Sequence, residues 1–393
     1  MPQTTDPDRT PFVREVMHAF AERTGLVDGR APKRYLWTDA FAVCNFLALE
    51  RLTGDTAYRT LALRLVDQVH HDLGRHRRDD QRQGWISGLS DNEGEVHPTI
   101  GGLRIGKPLR ERLPSEPIDE RLEWDRDGQY FHYLTKWMHA LGRMREVTGE
   151  PRYLRWALEL AETAYKGFSV VSGNADSRSL VWKMSTDLSR PLIDSEGQHD
   201  PLDGLVTLLE LRQAAAATGG AVPSRIERAI VELAGMCARQ PLTTADPLGF
   251  GGLLTSALTL AALALAGLRG CEDLCADLLE AALIGLQSYT SDPRQLSLPS
   301  AYRLAFRELG VSIGLPAVRG IRVLMEQDPA AFDPRPALGP QVARLMGYDT
   351  LIGMIEGFWM EPGNRRCATW QDHEDINAVM LATSLAPDGF LGP

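Results

Sequence analysis

The sequence predicts an all-α fold built from six helical hairpins, and three observations predict it. A turn pattern occurs twice, as Leu52-Thr-Gly-Asp-Thr-Ala-Tyr58 and as Val147-Thr-Gly-Glu-Pro-Arg-Tyr153. Apolar helical runs alternate with charged amphipathic ones along the chain. Runs with a strand-like pattern are scarce, and only 84–89 (GWISGL) and 180–188 (LVWKMSTDL) read as short strands.

The repeated turn explains how one hairpin is made. Gly54 and Gly149 fit the left-handed position that closes a helix, and Asp55 and Glu150 place negative charge at the start of the next. Pro151 suits a first helical turn, and Tyr58 and Tyr153 begin the buried stripe of the following helix. The same alternation gives outer helices near 10–25, 55–74, 151–167, 224–239, 272–289 and 341–356. Inner, apolar helices fall near 38–52, 129–146, 201–217, 250–268, 300–314 and 374–385. A further helix near 316–327 is either an insertion or the true sixth outer helix, and the Pro-rich stretch 330–340 reads as a loop. The connections 75–128 and 168–200 are long and irregular, a length that usually signals function. One domain over 1–393 is expected.

Composition narrows the function classes. The 393 residues are 44% hydrophobic and 24% charged, with a formal net charge of −10, which fits a globular protein and argues against nucleic acid as partner. The basic cluster Arg75–Arg82 is interrupted by Asp79 and Asp80 and reads as a solvated helix end. The chain opens without a basic stretch followed by an apolar one, so a cytoplasmic setting is expected. Five cysteines without a CxxC pair point to buried thiols, not to a disulfide framework or a zinc ribbon. The uncharged run 247–268 has the composition of a membrane span, but Gly251-Gly252 and its Thr and Ser content favour a buried inner helix, and no membrane partner is expected.

Six hairpins, apolar inner helices, the TG[DE]xxY turn and aromatic, polar entries to the inner helices resemble the six-hairpin glycosidase-like superfamily, an (α/α)6 toroid, over nearly the whole chain. That superfamily includes unsaturated glucuronyl hydrolases and, in a related toroid, N-acylglucosamine 2-epimerases. The resemblance implies that the inner helices converge on a central cavity lined by their N-terminal starts. Those starts read YLWTDAF (35–41), EWDRDGQYFHYLTKW (123–137), GQHDPLDGL (197–205), DPLGFGG (246–252), LPSAYRLAF (298–306) and WQDHEDINA (370–378).

Asp39, Asp127, Asp200, Asp203, Asp372, Glu374 and Asp375 all lie at these junctions. Glycoside hydrolysis needs one carboxyl group to protonate the leaving oxygen and another to activate water or attack. Asp is also a preferred helix cap, so recurrence beside Trp and His, not any single Asp, carries the argument. Asp127 and Asp203 are the expected acid/base pair, with Asp39 and Asp375 in reserve. Trp37, Trp124, Trp182, Trp359 and Trp370 offer flat faces that suit sugar rings. Gln129, His132, Tyr133 and Lys136 follow i, i+3, i+4, i+7 spacing and form one polar face on an inner helix. His199 and His373 are further substrate-binding candidates, and Lys183 and Arg303 are candidates for holding a sugar carboxylate. HxxxH, HExxH and Cys/His clusters do not occur, nor does a P-loop or GxSxG element in a suitable context, so neither metal nor cofactor is expected. The leading expectation is a hydrolase of a small glycoside or oligosaccharide. A sugar epimerase working through His132, His199 or His373, and a non-catalytic sugar-binding protein, are the alternatives.

Overall fold

The computed structural model describes residues 7–172, 177–292, 294–332 and 336–392. The helices run α1 (Thr10–Arg23), α2 (Leu36–Thr53), α3 (Ala57–Leu73), α4 (Asp91–Val96), α5 (Glu120–Glu123), α6 (Phe131–Thr148), α7 (Pro151–Phe168), α8 (Asp200–Ala217) and α9 (Ser224–Cys237). They continue with α10 (Pro247–Leu265), α11 (Cys271–Thr290), α12 (Ala305–Gln327), α13 (Leu338–Met346), α14 (Thr350–Met360), α15 (Ala368–Gln371), α16 (Glu374–Leu385) and α17 (Asp388–Leu391). The strands are β1 (Gln129–Tyr130), β2 (Ser169–Ser172), β3 (Ser177–Leu180), β4 (Lys183–Met184) and β5 (Pro191–Ile193). Two compact units result, one of residues 21–50 and 55–241, the other of residues up to 20, 51–54 and 242 onward.

In the 21–241 unit, α6 and α7 form the hairpin that the repeated turn predicts. Gly149 follows α6 at φ 72°, with its N–H donated to the Arg145 carbonyl at 2.8 Å. Pro151 then opens α7 without losing a helical hydrogen bond. Gly54 adopts the same φ of 72°, so both copies of the motif use a backbone conformation that favours glycine. Tyr58 and Tyr153 are buried as expected, and a large side chain of this kind contributes roughly 1.5–3 kcal/mol by leaving water. The 84–89 run is not a strand: Trp85 makes an isolated bridge to Arg75, and its ring is buried against α4 at Gly94. The 180–188 run divides between β3 and β4 and then turns at Leu188, which sits at φ 58°.

In the other unit, α10 packs against α11 and α12. The helix is long and apolar enough to cross a membrane by length and composition, but here that composition serves close helix packing. A Cβ added to Gly251 would meet the Gly310 carbonyl at 2.1 Å, and one added to Gly310 would meet Leu248 Cα at 2.7 Å. Two expected boundaries move. The segments 300–314 and 316–327 form the single helix α12, which continues through Pro316. Burial of Leu309, Val311, Ile313, Leu315, Val318 and Ile321 outweighs the roughly 3 kcal/mol that an interior proline costs. Conversely, 341–356 breaks at Gly347 into α13 and α14. The Pro-rich loop includes 333–335, which lie outside the described residues.

Candidate functional site

A small antiparallel sheet sets the start of α6. β1 pairs with β4 in the register Gln129↔Met184 and Tyr130↔Lys183, and β4 pairs with β5. This brings Trp182, just before β4, beside the first turn of α6. Tyr130 stacks on Trp182 at 4.9 Å between ring centroids, and His132 lies parallel to the same indole at 6.4 Å and 4°. Trp124, more than half exposed, meets Trp182 edge-on at 5.2 Å. Tyr133 continues the cluster: it contacts His132 at 4.8 Å, and its hydroxyl lies 2.6 Å from that of Tyr35. Trp37 backs Tyr133 at 6.5 Å, and the Lys107 ammonium stands 5.4 Å from the centre of the Tyr35 ring. The result is a partly exposed aromatic surface with hydroxyl and imidazole edges, the chemistry that suits a sugar ring.

The carboxylates come from the first turn of α8. Asp200 and Asp203 are three residues apart on that helix, hence on one face. Asp203, half-buried, receives a hydrogen bond from the Lys136 ammonium at 3.2 Å. Asp200 has one oxygen 3.5 Å from His132 Nδ1, and its second oxygen is buried without a hydrogen-bond partner. His199 immediately precedes the helix and is half-buried. Tyr133 is raised well above the usual tyrosine range, first by burial and then by Tyr35, so it acts as a neutral hydroxyl.

Several expected site residues are placed elsewhere, each for a physical reason. Asp127 has no exposed surface, and its carboxylate accepts from Arg104 at 2.5 Å and from the Gly106 and Lys107 amides at 3.0 and 3.3 Å. It is a buried structural ion, not a group open to substrate. Asp39 is buried under Arg34 and accepts from the Tyr35 amide at 2.9 Å, which fixes the entry of α2. Gln129 lies on β1 instead of extending the α6 face, and its amide is bound to the Leu103 N–H and to the Gly101 and Thr186 carbonyls. Lys183 is fully buried and donates to the Glu123 and Arg126 carbonyls. Burial lowers its pKa to about 8, against the opposing pull of Glu123 and Asp127.

In the 242–392 unit, Arg303 and Trp359 are buried and both bind the Glu308 carboxylate, and Trp370 stacks on Trp359 at 5.6 Å. These three are core. His373 is exposed and touches Phe306 edge-on at 5.7 Å, and Asp375 is half-buried in the first turn of α16. Among the described residues, no cluster of three or more His, Cys, Asp or Glu has the arrangement to hold a metal. Tyr35, Tyr130 and Lys107 join the aromatic surface although sequence reasoning did not select them. Tyr35 carried a signal as the first letter of an inner-helix entry, whereas Lys107 sits in a loop whose path has no periodicity.

No protein-family profile matches the chain, and no curated protein matches it. Solved structures do. A GH76 alpha-mannanase from Bacteroides thetaiotaomicron matches with a TM-score of 0.57 at 9% identity, covering 99% of this chain and 100% of that one. A GH76 alpha-1,6-mannanase from a Salegentibacter species matches at 0.51 and 11% identity, covering 95% and 99% of the two chains. An inactive variant of the latter enzyme, with two adjacent aspartates replaced by asparagine and alpha-1,6-mannotriose bound, matches at 0.51 and 12% over the same shares. These likenesses show the fold: the chain is an all-α protein of the (α/α)6 six-hairpin class. They are to mannanases, and the finer resemblance to unsaturated glucuronyl hydrolases is not shown by them.

Proposed function

We propose that the protein is a glycoside hydrolase acting on a small glycoside or oligosaccharide. The observation that carries this reading is Asp203: a half-buried carboxylate 3.2 Å from Lys136, one turn from Asp200, on the edge of the Trp124–Trp182–Tyr130–His132–Tyr133 surface. The Lys136 ammonium holds the Asp203 carboxylate in place at 3.2 Å, the fixed orientation that a base taking a proton from water requires. Asp200 and His132 form the proton-donating couple. In the step proposed, the water oxygen bonds to the anomeric carbon as the glycosidic C–O bond breaks. Asp203 takes the water proton, and the Asp200–His132 couple delivers one to the leaving oxygen.

The fold neighbours support alpha-mannosides as the first substrate class to try. One of them is inactive when two adjacent aspartates are replaced, whereas the only adjacent aspartates in this chain, Asp79 and Asp80, are bound to Arg77 and Arg82. The arrangement proposed here therefore uses aspartates three apart. The five cysteines are all free, which supports the cytoplasmic setting expected of the chain. The parallel stacking of His132 on Trp182, with Asp200 behind its Nδ1, also favours a second reading: a sugar epimerase in which His132 moves the proton beside a carbonyl.

Incubation with alpha-1,6-mannobiose, a panel of other glycosides and reducing amino sugars in deuterated water separates the readings. Released sugar that appears with wild-type protein and not with Asp203→Asn supports hydrolysis. Deuterium entering beside the carbonyl carbon without cleavage moves the assignment to the epimerase, and neither signal from any compound removes both.

A further inference from the structure

A concavity lies in the 21–241 unit, between α3, α4 and α7, and it shares no residue with the candidate site. Its volume is about 450 Å³, within the roughly 300–1,000 Å³ of small-molecule sites. Trp85, Tyr153 and Trp156, all buried, form an aromatic floor, and Thr60, Arg64 and Arg152 stand exposed at the mouth.

His70 is the informative side chain there. It is 97% buried (3% exposed), and its Nε2 lies 3.1 Å from the Trp137 indole nitrogen. An indole N–H can only donate, so Nε2 must accept, and a neutral ring then carries its proton on Nδ1. Burial lowers the pKa of His70 to about 3, so the ring is neutral at physiological pH. No hydrogen bond from Nδ1 to a described group is formed, and the His70 ring, edge-on to Trp156 at 5.0 Å, lines the concavity as a fixed, uncharged donor.

The carboxylates around the mouth are already paired. Arg152 is bound to Glu150 at 2.7 Å, and it lies over the rings of Tyr153 and Trp156. His71 stands between Asp67 and Glu95, and Arg64 donates to the Leu26 carbonyl. A cationic ligand finds no unpaired carboxylate among these, whereas a neutral ring with an acceptor oxygen finds an aromatic floor and the His70 donor. We infer that this concavity is a second binding site, for an uncharged pyranose ring, that holds a glycan away from the residues proposed to cleave it. The inference stands on this geometry and not on the catalytic assignment.

The test is an NMR titration of protein labelled with 15N-histidine, using methyl alpha-D-mannopyranoside and methyl beta-D-glucopyranoside as probes and choline as the ionic control. At least one glycoside is expected to shift the His70 Nδ1 resonance saturably, and choline is not. Thr60→Trp fills the mouth from an exposed position on α3, and is expected to weaken that binding at least tenfold while turnover and melting stay unchanged. Asp203→Asn is expected to leave the His70 shift intact, which separates this site from the proposed catalytic one. No shift with either glycoside up to about 0.1 M, a shift with choline alone, a shift that survives Thr60→Trp, or one abolished by Asp203→Asn would each overturn the inference.

Discussion

The loop just before α6 and the first two turns of that helix differ in what their polar groups are doing. Between Glu123 and Asp127, every ionised side chain named above is spent on the protein itself: Glu123 on Arg112 and Lys183, Asp127 on Arg104 and two backbone amides. Across the next turns, His132 and Lys136 face partners on α8 and remain partly exposed. The first region is a rigid base, and the second is what that base presents. Lys183 ties the two together, since it holds the 123–126 backbone while its neighbour Trp182 stacks on Tyr130.

Substitutions should split along this line. The largest effect on folding is expected from Asp127→Ala, which strands Arg104 without its carboxylate. Chemical denaturation should show a loss of about 3–5 kcal/mol, the usual cost of breaking a buried ion pair from one side, with turnover per folded molecule retained. Asp203→Asn should do the reverse. Its turnover is expected to fall by roughly 10²–10⁴, with stability changed by no more than about 1 kcal/mol, because its ion pair with Lys136 is partly solvated. If Asp203→Asn unfolded the protein, or Asp127→Ala lost turnover while folding normally, the division would fail.

How much of this was legible in the sequence depends on what each residue's role requires. Gly54, Gly149, Tyr58 and Tyr153 were readable because turn chemistry and helical periodicity act within a few residues. The His132, Tyr133, Lys136 face was readable for the same reason, and it does stand at the start of α6. Asp127 was not, because its role is fixed by Arg104 and by amides some twenty residues earlier, in a loop without periodicity. Arg303 also looked like a candidate ligand-binding residue until Glu308, one turn into α12, proved to be its partner. The continuity of α12 through Pro316 was hidden too, since local preference argues for a break and tertiary burial decides otherwise.

Smaller effects sharpen the comparison. Trp182→Ala removes the ring shared by Trp124, Tyr130 and His132, and each such pair is worth roughly 0.5–1.5 kcal/mol. It should raise KM for an oligosaccharide about tenfold, with a smaller change in kcat, as steady-state kinetics would show. A separate effect is expected from Lys183 in its pH dependence. Its folded pKa of about 8 lies below the ordinary 10.5, so between those values the unfolded chain binds more protons. Its contribution to stability should therefore rise as pH climbs through that window. Urea unfolding on either side of the window should show this increment in the wild type and its loss in Lys183→Met.

The most direct measurement is time-resolved proton NMR of alpha-1,6-mannobiose with wild type, Asp203→Asn and Asp127→Asn at equal concentrations of folded protein. New anomeric signals from wild type and Asp127→Asn, with none from Asp203→Asn, are the predicted result. Cleavage by Asp203→Asn at the wild-type rate would contradict the assignment of the open face of α6 and α8 as the catalytic surface.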